Sequence, residues 1–376
     1  MKYLSPLNVY IISHLEDDLS ETFSSHFFRK LCRDESRPFD HRLGIPVFFR
    51  LANYIDGIPQ EIDFSQAEKN AVICLIDTNL VLDSELKNFV SEVSSSCENS
   101  PDNIFIPVAL SKSAYNIDEG IKKRNFIKAD DDHFLNSKFK YIYHCVLHEL
   151  CKLMIGAEKE NKVQLFISHS KHDEIVEEAK SFSDYISKNT QLKTFFDAND
   201  IPYGTDFAKV LERNSKNSVI IAFLSDTYAS REWCRKEIII AKENHCPLII
   251  VNAINTGENR SFPYLGNTPT MRWNKDYQSL ADLALEVTLG SDFVQASLAK
   301  QAEFYGVEYD FILSNFPELF SIVGIKEQLE EQKKPAGIIM YPDPPLGNEE
   351  LRILNRMDER LMFITPLQLS TFLTHG

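Results

Sequence analysis

Two hydrophobic periods alternate along the chain. Short runs of consecutive apolar residues, rich in Ile, Val, Leu and Phe, fall at 9–12, 47–49, 72–76, 104–110, 165–167, 194–196, 219–224 and 248–254. Between them apolar residues recur every three or four positions, as in Leu19, Phe23, Phe27 and Leu31, or Ile175, Ala179, Phe182 and Ile186. The runs read as strands buried on both faces, and the spaced positions as helices that bury one stripe. Their alternation predicts an α/β fold built on parallel sheets.

The order of features repeats after about 150 residues, the mark of an internal duplication. Val9-Tyr10-Ile11-Ile12-Ser13-His14 is echoed by Leu165-Phe166-Ile167-Ser168-His169, and each precedes a helical pattern. Second strands end in Val47-Phe48-Phe49 and Thr194-Phe195-Phe196; third strands run into Asp77-Thr78 and Ser225-Asp226-Thr227. With closing helices at 141–155 and 277–289, each copy is a doubly wound domain. The boundaries expected are 1–156 and 162–292, separated by the charged linker Gly156-Ala157-Glu158-Lys159-Glu160-Asn161-Lys162, with an extension at 296–376. That extension reads as β-α-β: a strand at 336–341, the turn Pro342-Asp343-Pro344-Pro345-Leu346-Gly347, a helix capped by Asn348, and a strand at 361–364.

Composition narrows the partners. A net charge of −15 over 376 residues, with pI ≈ 5.2, repels nucleic acid and anionic membranes, so an anionic ligand needs a local cluster of donors. The seven cysteines are odd in number and contain no Cys-x-x-Cys, which suits reduced thiols in a cytoplasmic protein and no thiolate metal site. His144 and His148 stand four apart on one helix with Cys151 nearby, but no third ligand is evident and the order is not His-Glu-x-x-His. No cofactor fingerprint appears: the 13 glycines make no phosphate-cradling or dinucleotide loop. No stretch approaches the roughly 18 apolar residues of a membrane span.

The chemistry concentrates in Ser230-Arg231-Glu232-Trp233-Cys234-Arg235-Lys236-Glu237, just after the apolar run at 219–224. This reads as a helix opening beyond a strand's carboxyl end, where open α/β sheets place ligands. Trp233 and Glu237, four apart, share one helical face. A carboxylate beside an aromatic plate suits a ribose whose anomeric carbon becomes positive. Without context the same residues are an amphipathic helix start with an exposed Glu.

Across about residues 162–290 the second copy resembles the TIR domain family. Phe166-Ile167-Ser168-His169-Ser170 is similar to the family's first box, and Phe196-Asp197-Ala198-Asn199-Asp200-Ile201-Pro202-Tyr203-Gly204 to its second. Ser230-x-x-Trp233-Cys234-x-x-Glu237 resembles its active-site helix. The resemblance implies a flavodoxin-like fold and an NAD+ glycohydrolase or cyclase that cleaves the nicotinamide–ribose bond, as an effector of bacterial antiphage defence activated by assembly. NAD is then substrate and no cofactor is required. Glu237 takes the catalytic position; Ser168, His169, Ser170, Lys171, Phe196, Tyr203, Phe207 and Trp233 are the expected substrate-binding set. Where some active relatives carry Arg after the first strand, this chain has Ser170-Lys171, which puts phosphate recognition in question.

The first copy resembles a degenerate TIR domain. Registering Asp77-Thr78 on Asp226-Thr227 sets Ser84 opposite Trp233 and Asn88 opposite Glu237, which predicts a silent copy. A receiver domain is the rival for this copy, on Asp17-Asp18, Asp77 and Lys112. The expected partners are NAD, further TIR domains through self-association, and an activating protein or nucleotide signal. The competing functions are a non-catalytic TIR scaffold or adaptor, and a sensor that holds a nucleotide signal in the first copy's crevice.

Overall fold

In the computed structural model of the protein the described residues are 3–16, 18–36, 43–52, 57–130, 135–156, 163–171, 173–190, 192–196, 218–257 and 264–372. They divide into two compact units, one of Leu4–Lys159 and one of Glu160–Gly376 together with Met1–Tyr3. The fold is parallel α/β throughout: the apolar runs at 9–12, 72–76, 165–167 and 219–224 become strands buried on both faces, whereas the run at 47–49 forms an edge strand that leaves Phe48 and Phe49 exposed.

In the first unit β1 (Ser5–His14), β2 (Val47–Ala52), β3 (Ala67–Ile76), β4 (Asn103–Ala109) and β5 (Ile127–Lys128) form a parallel sheet in the order β2-β1-β3-β4-β5. Around it lie α1 (Asp18–Leu31), α2 (Thr78–Leu82), α3 (Ser84–Glu98), α4 (Glu119–Lys122) and α5 (Leu135–Ile155). The stripe of α1 buries Phe23, Phe27 and Leu31, as its spacing predicts.

The second unit repeats this order. Its strands β6 (Gln164–His169), β7 (Lys193–Phe196), β8 (Ser218–Leu224), β9 (Leu248–Asn252) and β10 (Thr270–Arg272) pair as β7-β6-β8-β9-β10. The helices are α6 (Ile175–Asn189), α7 (Glu232–Glu243) and α8 (Tyr277–Tyr305). In both sheets the strand order reverses at the first strand, so a crevice opens between the carboxyl ends of β1 and β3, and of β6 and β8.

The helix expected to close at residue 289 instead runs on through 292–296 for 29 residues. Phe293, Leu298 and Ala302 continue its buried stripe, and Gly306 at φ 66° supplies the left-handed cap that ends it. The extension is also larger than β-α-β. It adds β11 (Phe311–Ile312) and α9 (Leu319–Glu331) before β12 (Gly337–Met340), α10 (Asn348–Met357), β13 (Leu361–Ile364) and α11 (Pro366–Phe372), and β11-β12-β13 form a parallel sheet. The two-residue β11 was illegible as a run because it holds only Phe311 and Ile312.

The Pro-rich turn acquires a physical role here. The Leu346 N–H donates to the buried Tyr341 hydroxyl at 2.8 Å, the Gly347 N–H donates to Glu350 Oε2 at 2.8 Å at the start of α10, and Asp343 Oδ1 accepts the Leu367 N–H of α11 at 3.2 Å. One short segment thus ties together a strand end and two helix starts. Among the described residues no helix is long and apolar enough to cross a membrane, and no three His, Cys, Asp or Glu side chains gather as a metal site.

Candidate active site

Helix α7 follows β8 through a 3-10 turn at Tyr228–Ser230 and begins after Arg231, whose backbone is extended. Glu232 in its first turn complements the positive helix end and pairs with Lys236 at 2.8 Å. The buried stripe is Cys234, Glu237, Ile238 and Ala241, spaced i, i+3, i+4 and i+7. Glu237 therefore sits where an apolar side chain would be expected, and only 6% of it is exposed. The bland reading of an exposed helix-start glutamate fails on this burial.

Burying a carboxylate costs several kcal/mol of hydration unless hydrogen bonds replace the water. Ser168, at the carboxyl end of β6, donates its hydroxyl to Glu237 Oε2 at 2.5 Å. With its proton committed, Ser168 Oγ accepts from the Tyr228 hydroxyl at 2.7 Å. Tyr228 is fully buried, and its phenol is pushed well above its ordinary range, first by burial and then by the charge of Glu237. It stays a donor. Tyr228, Ser168 and Glu237 so form a polarised chain of hydroxyl donors aimed at one carboxylate oxygen. Cys234, one turn earlier on α7, donates its thiol to the His169 carbonyl at 3.6 Å; burial and then Glu237 push that thiol up to about 12.

A second hydroxyl network fixes the adjoining loops. Asp173 Oδ2 accepts from Ser225 at 2.6 Å and from Thr227 at 2.5 Å, while Thr227 accepts from Ser170 at 2.7 Å. The loop after β6 is thereby locked to the loop after β8. Asp226 points the other way, its carboxylate accepting the N–H groups of Asn255, Thr256 and Gly257 and the Thr256 hydroxyl. The Thr256 hydroxyl is the main reason its carboxyl lies below the usual range.

Of the nine expected site residues, the structure brings Ser168 into contact with Glu237 and places Cys234, between Trp233 and Glu237 in the chain, against His169. His169 is buried, Lys171, two residues beyond β6, is exposed, and Trp233 on α7 is 51% exposed. Ser170 is fully buried and belongs to the loop-locking network. Phe196 ends β7. Tyr203 and Phe207 lie outside the described residues. Tyr228, Asp173 and Asp226 were missed by reading the sequence; a tyrosine directly after Ser225-Asp226-Thr227 was the available hint, since a buried phenol needs a polar partner.

Among the described residues of the first unit there is no such chain. Asp83 caps α3 seven residues after the end of β3 at Ile76, just as Arg231 precedes α7 seven residues after Leu224. Counted from these caps, Phe89 rather than Asn88 stands at the Glu237 position; Phe89 is buried and Asn88 exposed. The Asp-Thr dipeptides were a misleading anchor, one residue out of step with the equal loop lengths. Asp77 accepts the Leu80 N–H at 2.7 Å, and Asp83 accepts those of Glu85 and Leu86 at 3.0 Å. Both carboxylates cap helices; of the residues in the receiver reading, Asp77 is thereby the cap of α2, and Asp17 lies outside the described residues.

Comparison with known proteins agrees with the second unit's architecture. The family described as TIR domain matches residues 165–282. No curated protein matches the chain. Among solved structures, the tagatose-6-phosphate ketose/aldose isomerase from Escherichia coli aligns at 10% identity over 77% of this chain and 82% of that one, with a TM-score of 0.24. A likeness that weak carries no argument.

Proposed function

We propose that the TIR domain formed by residues 165–282 cleaves the nicotinamide–ribose bond of NAD, with Glu237 as the catalytic carboxylate. The observation that carries this reading is a charged side chain set into the apolar stripe of α7 and held by Ser168 at 2.5 Å at the sheet's switch point. A protein spends stability on such a group where its charge is used.

The reaction asks little of the protein beyond that charge. The C–N bond electrons leave with nicotinamide, which departs neutral because its ring was cationic, so no general acid is required. Positive charge is left on the ribose C1 and its ring oxygen. A carboxylate fixed in a low-dielectric crevice stabilises that charge without reorganising. Water then attacks C1 and loses a proton to give the linear product, or a nucleophile in the same molecule closes a cycle. Trp233 supplies an aromatic wall on the same helix, and Lys171 a cation for the diphosphate.

Glu237 is almost fully covered, so catalysis requires that a carboxylate oxygen become accessible to the ribose. Self-association of TIR domains is the step we assign to that exposure, and a role as an effector of antiphage defence follows from an activity that empties a cell of NAD. The scaffold reading rests on the same burial: a carboxylate this enclosed, with Ser168 and Ser170 both engaged internally, also serves a domain that acts by association alone. Nicotinamide release from NAD by concentrated full-length protein, with and without a crowding agent, tests the proposal. Release by the wild type and its loss in Glu237→Ala support the enzyme; a Glu237→Ala protein that keeps its full biological effect identifies the scaffold.

A further inference from the structure

We infer that the C-terminal module holds the Glu237-bearing helix in place, with Lys242 and Gly324 as positioning residues. The kinetic part of this inference rests on the catalytic reading of Glu237; the mechanical part does not.

Two contacts fasten α9 to the end of α7, and a third ties it to the neighbouring loop. Gly324 lies where the two helices cross, and a Cβ there would sit 2.4 Å from the carbonyl oxygen of Glu243, 3.1 Å from its carbon and 3.2 Å from its Cα. The obstacle is backbone, which no side-chain rotation relieves, so only glycine permits this approach. Beside it, the Lys242 ammonium is 2.8 Å from both oxygens of Glu318 and 3.3 Å from the carbonyl of Gly266, and the Lys242 side chain is only 6% exposed. Its three donors join α7, the loop ahead of β10 and the start of α9. Phe320 meets Tyr264 edge-on at 4.8 Å and ties that loop to α9 a second time.

The remainder of α7 is a rigid rod. Glu237 lies six residues before Glu243, about 9 Å along the axis at the helical rise. A displacement at the crossing is therefore carried to the carboxylate. A Cβ at 2.4 Å must retreat by about 1 Å to reach ordinary contact, and a misplacement of that size in a reacting group costs on the order of 10²-fold in rate. A lysine buried at the far end of the catalytic helix and a glycine in the middle of another helix share one purpose here: they fix where the carboxylate stands relative to Ser168.

The test uses the full chain and two readouts, amide hydrogen exchange across residues 232–243 and the kinetics of nicotinamide release. Gly324→Ala and Lys242→Met should each unfold cooperatively while exchange in α7 rises about tenfold or more, with exchange in α6 unchanged. Turnover should fall about 10- to 100-fold with KM changed less than about threefold. Lys242→Arg, which keeps the ion pair, should restore most of both. Should Gly324→Ala fail to fold, Lys242→Met and the milder Glu318→Gln decide. Unchanged exchange in α7 for the variants that fold overturns the brace, and raised exchange with kcat intact overturns the positioning role of Lys242 and Gly324. Absence of nicotinamide release from the wild type overturns the catalytic reading instead, and the exchange data then decide the brace by themselves.

Discussion

Glu237→Gln separates a catalytic carboxylate from a structural one, because the two readings give opposite signs for stability. The substitution keeps shape and removes charge. In the native state the carboxylate is 6% exposed and accepts the Ser168 hydroxyl at 2.5 Å. Exchanging a charge-assisted hydrogen bond for a neutral one loses about 1 kcal/mol. Against that stands the hydration lost by a buried carboxylate, several kcal/mol. The balance favours the variant by about 1–2 kcal/mol. In a unit of this size 1 kcal/mol moves the midpoint by about 2–4 °C, so Tm should rise by about 2–8 °C. Turnover of NAD should fall by about 10²–10³-fold or more, as when a preorganised charge-stabilising group is removed. Differential scanning calorimetry and the nicotinamide assay, on the same preparation, give both numbers. A Tm that drops by several degrees would refute the argument, since it would mean that the carboxylate stabilises the fold and that Ser168 and Tyr228 are there to serve packing.

Two further outcomes follow from the same geometry. Tyr228→Phe removes the donor to Ser168 but leaves the Ser168–Glu237 contact, so it should cost about 1–2 kcal/mol in urea unfolding and lower kcat roughly tenfold; an unchanged kcat would show that the phenol has no hold on the carboxylate. His245 follows α7 at φ 54°, and burial holds its imidazole at about 4, below the ordinary 6.5. The unfolded chain then binds more protons between those values, so this residue's contribution is intact above about 6.5 and is lost as pH falls toward about 4, by up to about 3 kcal/mol. His245→Asn, which tolerates the left-handed backbone, should flatten that part of the stability–pH curve measured by urea titration, and an unaltered slope would remove His245 from the account.

How much of this could be read beforehand depends on the range of the interaction involved. The strands at 165–167 and 219–224 were legible because a doubly buried strand writes its environment into consecutive residues. The topology followed from their alternation with helices, and the second copy's fold from its three boxes in order. The burial of Glu237 was half legible: Cys234, Ile238 and Ala241 flank it at helical spacing, and a Glu inside that stripe is a conflict between local rule and position, the kind that marks functional sites. The donor was hidden, because Ser168 is 69 residues away and only the pairing of β6 with β8 brings it there. The brace shows the same division. A glycine in mid-helix announces that something comes close, but nothing near Gly324 in the chain names Glu243 as the neighbour, and nothing near Lys242 names Glu318. Local sequence records what each residue needs; the partner that meets the need is set by topology. The assignment of Asn88 to the Glu237 position failed for a related reason. A dipeptide was matched where the equal seven-residue spans from strand end to helix cap should have been, and those spans are what place a side chain over the crevice.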